Sequence, residues 1–156
     1  MAVLPIRKIG DPVLKKIAEP IAKIDKQIKK LIIDMIDTMK DSEGVGLAAP
    51  QVGHSLRLIV IDIGEGPFEI INPVITEADG EQCGPEGCLS VPDYYGEVTR
   101  FQTVTVEGLN RLGKKVKIHG EEFLARALQH EIDHLDGILY VEKTSSLYRI
   151  EPEGDE

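Results

Sequence analysis

Two histidines four residues apart, with a glutamate directly after the first, limit what this chain can become more than any other feature: Gln129-His130-Glu131-Ile132-Asp133-His134-Leu135-Asp136-Gly137. On an α-helix, residues four apart lie about 40° from each other on the wheel, one turn above the other. His130 and His134 then aim two imidazole nitrogens at one point, the bite a metal ion needs. Glu131 lies about 100° further round, within reach of a water at that point without having to be a ligand. Two ligands make no stable site, so the fold must deliver a third. The plainer alternative is an amphipathic helix with two surface histidines. Against it, the chain has only 4 histidines, two of them at this spacing. Phe123, Leu124, Ala127, Leu128 and Leu135 also make the segment apolar enough to lie against packed structure.

Cys88 is the candidate third ligand. It sits in Pro85-Glu86-Gly87-Cys88-Leu89-Ser90-Val91-Pro92, where glycine and proline punctuation suggests a strand edge or loop that faces the helix. One thiolate and two imidazoles leave a fourth tetrahedral position open, as in a catalytic rather than a structural site. Such a set suits Zn²⁺ and Fe²⁺ alike. The chain has 2 cysteines, so a metal role for Cys88 leaves Cys83 alone, which points to a reducing compartment. A Cys83–Cys88 disulfide is the competing arrangement and would consume the third ligand. A further segment, Gly44-Val45-Gly46-Leu47-Ala48-Ala49-Pro50-Gln51, brings backbone close to a ligand because its glycines carry no Cβ. No Lys-Ser/Thr follows, which excludes a phosphate loop, and no third glycine completes a dinucleotide fingerprint. A helix C-cap at Gly44 accounts for the segment structurally. Gln51 reads as a surface amide or, beside a metal, as a donor to a developing oxyanion.

Around these segments the pattern is α+β over residues 1–156, a single catalytic domain without linker or repeat. Asp11-Pro12 opens a short helix, and Asp25 caps a longer one through about Asp41. In the longer helix Ile28, Leu31, Ile32, Met35 and Met39 form a core-facing stripe. Strands are expected at 57–63, 68–72, 101–107 and 114–119, with a last short one at 138–141. The expected architecture is a set of curved antiparallel sheets wrapped around the central metal-binding helix, which begins near Glu121. His54 and His119 read as solvent-facing or locally bonded. Asp133 and Asp136 flank His134 as local partners that can orient a ligand imidazole. Tyr94-Tyr95 reads as loop packing, with Tyr95 near the edge of the site.

The Gly44 to Gln51 segment, Glu86-Gly87-Cys88-Leu89-Ser90, and the Gln129 to Gly137 segment resemble, in that order, the three signature segments of peptide deformylase. Ile9-Gly10-Asp11-Pro12-Val13-Leu14 is also similar to that family's N-terminal segment, and the likeness runs to about residue 142. The resemblance implies a metal-dependent hydrolase that removes the formyl group from the N-terminal formyl-methionine of newly made polypeptides. It implies Cys88, His130 and His134 as ligands of one divalent metal, Fe²⁺ in the cell, with Zn²⁺, Ni²⁺ or Co²⁺ as replacements. A water activated by the metal attacks the formyl carbon, with Glu131 as general base and acid. The resemblance makes the Leu89 backbone N–H and the Gln51 side chain the oxyanion donors. By the same matching, Gly46 and Gly87 offer backbone to an extended peptide. Val45, Glu86, Phe123, Arg126, Ala127 and His130 surround the methionine side chain. Arg126 departs from a more apolar residue common in the family; its stem is expected to pack on methionine while its guanidinium reaches water.

Two rival readings share part of this pattern. A zinc peptidase of the HExxH type lacks a use for Cys88 and needs a further downstream motif. A non-catalytic, metal-stabilised relative would have no need of the full set of reactive groups found here. The net charge of −9 argues against a nucleic-acid-binding surface and leaves room only for a local basic patch. No run has the length of a membrane span, and Pro5, Arg7 and Lys8 interrupt what a signal peptide would need. The expected partners are N-formylmethionyl nascent peptides, with a transient ribosome contact, in the cytoplasm. Residues from about 147 to 156 are expected to form a short, mobile acidic tail.

Overall fold

The computed structural model describes residues 2–144 and 146–149. The first helix, α1 (Lys26–Asp41), starts where expected, with the Asp25 carboxylate accepting from the Ile28 N–H at 3.0 Å. Leu31, Ile32, Met35 and Met39 are buried along one face, and Ile28 is half-buried at its start. The helix ends in a two-bond C-terminal motif: Glu43 N–H donates to Lys40 O, and Gly44 N–H donates to Met39 O. The left-handed residue of this cap is Glu43 (φ 57°), one position before the expected Gly44. Gly44 is needed for a different reason, since a Cβ there would lie 3.1 Å from Leu89 Cδ1.

Five strands form one antiparallel sheet in the order β1-β2-β3-β6-β7. They are β1 (Gly46–Ala48), β2 (Leu58–Ile61), β3 (Phe68–Asp79), β6 (Thr103–Leu109) and β7 (Lys115–Glu121). β2 is buried along its whole length, and its alternation explains how. Ile59 and Ile61 pack with Leu128, Ile132 and Leu135 of the second helix, α2 (Glu122–Leu135). Leu58 and Val60 pack the other way, with Leu31, Ile32 and Met35 of α1. The sheet is therefore clamped between the helices, and α2 runs through the middle of the molecule.

A second, three-stranded antiparallel sheet has the order β4-β5-β8: β4 (Gln82–Cys88), β5 (Val91–Arg100) and β8 (Ser146–Arg149). Cys88 pairs with Val91, so Leu89 and Ser90 are the tip of a hairpin. Its apolar support is small, with Val91 and Val98 packing against Leu139 and Tyr140.

Three expectations change. Residues 138–141 hold no strand; a 3₁₀ turn, Tyr140–Glu142, stands there, with the Glu142 carboxylate accepting from Leu139 N–H at 2.9 Å. α2 ends at a left-handed Gly137 (φ 75°) backed closely by Lys15 O, which turns the following apolar run inward before it can pair. β3 runs on past residue 72 to Asp79, shifting register twice after a left-handed Asn72. Finally, Leu147–Arg149 are not tail. They belong to β8, where Tyr148 lies opposite and stacks on Tyr95; the rest of the expected acidic tail, residues 150–156, lies outside the described residues.

Candidate active site

The site forms where α2 meets the tip of the β4–β5 hairpin. Gln129 anchors the helix there. Its amide accepts from Phe101 N–H and donates to Phe101 O, both at 3.0 Å, while also donating to Ala125 O. One turn of α2 then presents His130, Glu131 and His134, all buried. Cys88 reaches them from β4: its sulfur is 3.3 Å from His134 Nε2. One donor atom from each of Cys88, His130 and His134 lies within 4.8 Å of the others. Both cysteines are free thiols, so the disulfide alternative is not the one found. Cys83 sits exposed further up β4, with its sulfur towards Glu97.

Glu86 orients the first histidine. Its Oε1 lies 2.8 Å from His130 Nδ1, which leaves the other ring nitrogen for Cys88. Glu86 was expected only as pocket lining; its carboxylate is committed inward, to His130, Arg100 and Arg126. Burial pushes Glu86 up, but His130 and Arg100 outweigh burial and hold it at about 2. Burial pulls His130 down, yet hydrogen bonds to Cys88 and Glu86 hold it at about 10; a cation taking that ring nitrogen would release the proton. His134 is pushed well below its ordinary value, by burial first and then by the charge of His130, so it offers a neutral nitrogen. Asp133 and Asp136 orient neither imidazole. Asp133 pairs with Arg100 and Lys143, and Asp136 with Arg57.

The Glu131 carboxylate lies against β1. A Cβ on Gly46 would come within 2.7 Å of Glu131 Oε2, so the close approach that this glycine permits is to a side chain of the site itself. Burial raises Glu131 to about 7, and its Oε1 is buried without a hydrogen-bond partner. Such a group is suited to proton transfer near neutrality. Gln51, 2 % exposed, points its amide nitrogen at the Cys88 sulfur from 3.5 Å.

These groups face a cavity of about 610 Å³. Val45, Gly46, Gln51, Glu86, Gly87 and Leu89 line it from the glycine segment and the hairpin. Phe123, Arg126, Ala127, His130 and Glu131 line it from α2, and His134 lies behind them, 1 % exposed. Arg126 does not reach water. Its buried guanidinium donates to Gln82 Oε1, Gly84 O, Val98 O and Glu86 Oε2, tying α2 to both β4 and β5. Tyr94, rather than Tyr95, lines the cavity. His54 and His119 are exposed, the latter 3.2 Å from Thr105 Oγ1.

Sequence reasoning missed Arg100, Ser90 and Tyr140. Arg100 lies outside every motif, and only the fold brings it to Glu86. Ser90 stood inside a quoted motif without a role. Tyr140 stacks its ring on His130, with centroids 6.2 Å apart, from a run that reads locally as a strand.

A thiolate and two imidazoles converging at the wall of a cavity fit a single divalent cation. With a buried carboxylate alongside, the arrangement defines the class of single-metal hydrolases. Relatives of known structure and name narrow the class. The family model for polypeptide deformylase matches residues 3–149. A peptide deformylase of Carboxydothermus hydrogenoformans is 57% identical over 149 residues, covering 96% of this chain and 98% of the relative. The crystal structure of the Thermotoga maritima peptide deformylase superposes with a TM-score of 0.91 at 45% identity, covering 94% of this chain and 100% of that one. That of Legionella pneumophila gives 0.90 at 50% identity, covering 92% and 87%. The chain belongs to the polypeptide deformylase family, metal-dependent enzymes that remove the N-formyl group from nascent peptides. The zinc-peptidase alternative falls with that assignment.

Proposed function

We propose that this chain deformylates N-formylmethionyl peptides at the cavity beneath the β4–β5 hairpin, with Cys88, His130 and His134 holding one divalent metal. The observation that carries the reading is the convergence of these three donors within 4.8 Å, beside the unpartnered carboxylate oxygen of Glu131. When bound, the metal supplies Lewis acidity, acidifying water and polarising the formyl carbonyl. Fe²⁺ is the cellular metal in this reading, and Zn²⁺, Ni²⁺ or Co²⁺ substitute for it. Metal analysis of protein purified without oxygen tests that choice.

The remaining work belongs to side chains and backbone. Glu131 takes a proton from water as the oxygen attacks the formyl carbon, then returns it to the departing amine when the C–N bond breaks, leaving formate and a free amino terminus. The Gln51 amide and the Leu89 N–H donate to the oxygen on which negative charge collects. Gly46 and Gly87 offer backbone groups to the peptide as to an added strand. Val45, Glu86, Phe123, Arg126 and Ala127 enclose the methionine side chain. Glu86 and Arg126 do so through their stems, because their charged ends face each other between β4 and α2. The substrate end is a nascent chain met in the cytoplasm, in transient contact with the ribosome. No helix among the described residues is long and apolar enough to cross a membrane.

Glu131→Gln tests the reading directly. Glutamine keeps the size of the side chain but cannot accept the proton, so turnover falls on the order of 10²-fold or more while bound metal stays stoichiometric. Near-normal turnover with metal in place would remove Glu131 from the mechanism.

A further inference from the structure

Gln51 carries an amide whose two ends must be told apart before it can serve any carbonyl oxygen. Its Oε1 accepts from the Ala48 N–H at 2.9 Å; a backbone donor at that position demands the oxygen, so the NH₂ group is turned the other way. One of that group's two hydrogens goes to Ser90 Oγ, 3.1 Å away. The other is left for the side on which the Cys88 sulfur lies, 3.5 Å from the same nitrogen. An NH₂ group is planar, so fixing one N–H on Ser90 fixes the direction of its sister. Ser90 itself is fully buried at the tip of the β4–β5 hairpin.

The backbones of both residues are held by a third segment. Arg7 N–H donates to Gln51 O at 2.6 Å, and Ile9 N–H donates to Ser90 O at 2.7 Å. Between them, Lys8 Nζ reaches Leu89 O at 3.3 Å. The N-terminal segment thus clasps the Gln51 turn to the hairpin, independently of the serine hydroxyl. Removing that hydroxyl takes away one hydrogen bond and leaves the clasp.

We propose that Ser90 is a positioning residue: its hydroxyl holds the Gln51 amide so that the other N–H, on the side of the Cys88 sulfur, faces the reacting carbonyl oxygen. This rests on the reading of Gln51 as an oxyanion donor, and the two claims separate experimentally. The test is a double-mutant cycle on the metal-loaded enzyme with Ser90→Ala, Gln51→Ala and the pair, following kcat and KM for a formyl-methionyl peptide. Gln51→Ala is expected to lower kcat by about 10²-fold. Ser90→Ala should lower kcat roughly tenfold with KM within about twofold, since a misdirected donor weakens the transition state more than binding. The pair should be no worse than Gln51→Ala alone, because an amide that is gone needs no orienting. Amide NMR supplies a readout apart from activity: the Gln51 side-chain signals should shift and broaden in Ser90→Ala, while metal content and melting temperature stay as in the parent. An unchanged kcat in Ser90→Ala, additive losses in the pair, or a kcat loss matched by loss of metal or fold would each overturn the positioning role. A Gln51→Ala variant with full activity would instead bring down the oxyanion reading itself.

Discussion

The five-stranded sheet buries Ile59, Ile61, Ile70, Val104 and Val106 against α2, whereas the three-stranded sheet meets the same helix through Glu86, Arg100 and Arg126. One contact surface is apolar and the other is a buried network of charge. Burial of apolar surface is non-directional and stabilises in proportion to area. A buried ion network adds little net stability, because desolvation consumes most of the attraction, but its hydrogen bonds fix distances and angles. The division suits the work of each sheet. The first holds α2 in place; the second delivers Cys88, Glu86 and Leu89 to α2 at set positions. Precision at the site therefore comes from the sheet with the smaller hydrophobic core.

The sharpest way to break this comparison uses two cysteines of one strand. Cys88→Ala should lose bound metal and with it at least 10²-fold in activity, a larger loss than orienting groups around a metal usually cost. Cys83→Ala, changed on the exposed part of β4, should bind metal and turn over nearly as the parent does. Metal analysis of both proteins decides it, and a reversed outcome would put the wrong cysteine at the centre.

Next comes a contrast between two arginine–glutamate pairs, whose glutamates stand one in each sheet. Arg126→Ala removes a buried guanidinium with four acceptors and leaves Glu86 buried with less compensation. A loss of about 3 kcal/mol is expected, equivalent to roughly 6–12 °C in melting temperature for a chain of this size. That stability loss follows from the inward-facing guanidinium, in place of the water-facing one expected from the resemblance. An unchanged melting temperature with raised KM would restore the earlier picture.

Arg111, beside Glu69 of the five-stranded sheet, is more exposed, with 36% of its side chain accessible. Burial raises the Glu69 carboxyl, but the hydrogen bonds and charge of Arg111 outweigh it and leave Glu69 below its ordinary 4.5. A depressed carboxylate contributes stability that is fully present above its unfolded value and lost as pH falls through the lower folded one. Arg111→Ala should therefore cost about 0.2–1 kcal/mol at pH ~7 and progressively less as the pH falls through the depressed folded value of Glu69, down to pH ~2. Urea unfolding at the two pH values measures the difference; an equal cost at both would mean that the Arg111 stem, not its charge, does the stabilising.

The same contrast explains what could be read from the sequence. α1 was legible because Asp25 caps a 3.6-residue apolar rhythm, and β2 because a short apolar run has few other uses. The metal triad was legible because His130 and His134 carry their geometry in their spacing. β5 was not: Pro92 and Gly96 interrupt it, and Arg100, which it brings to the interior beside Val91 and Val98, is charged. The role of Glu86 was hidden for the same reason, since its partners Arg100, Arg126 and His130 lie 14, 40 and 44 residues away. Periodicity records burial of apolar surface, and a network of distant charges leaves no period.

The smallest effect is expected at the end of the chain, where the second sheet closes. β8 pairs Ser146 with Glu97 and Leu147 with Gly96, so a cut before Ser146 would strip the outer strand from β5 and should be costly. Truncation after Ile150 removes Glu151, Pro152, Glu153, Gly154, Asp155 and Glu156, all beyond the described strand. Pro152 and Gly154 oppose a continuing helix, and four carboxylates would be repelled by the phosphates of ribosomal RNA. The shortened enzyme should deformylate short formyl peptides within about twofold of the parent, with stability changed by less than roughly 0.5 kcal/mol. Its co-sedimentation with ribosomes should be unchanged or slightly stronger, because like charge has been removed. Binding that depends on the tail would overturn this, and so would a marked loss of activity, which would extend the working part of the three-stranded sheet past Arg149.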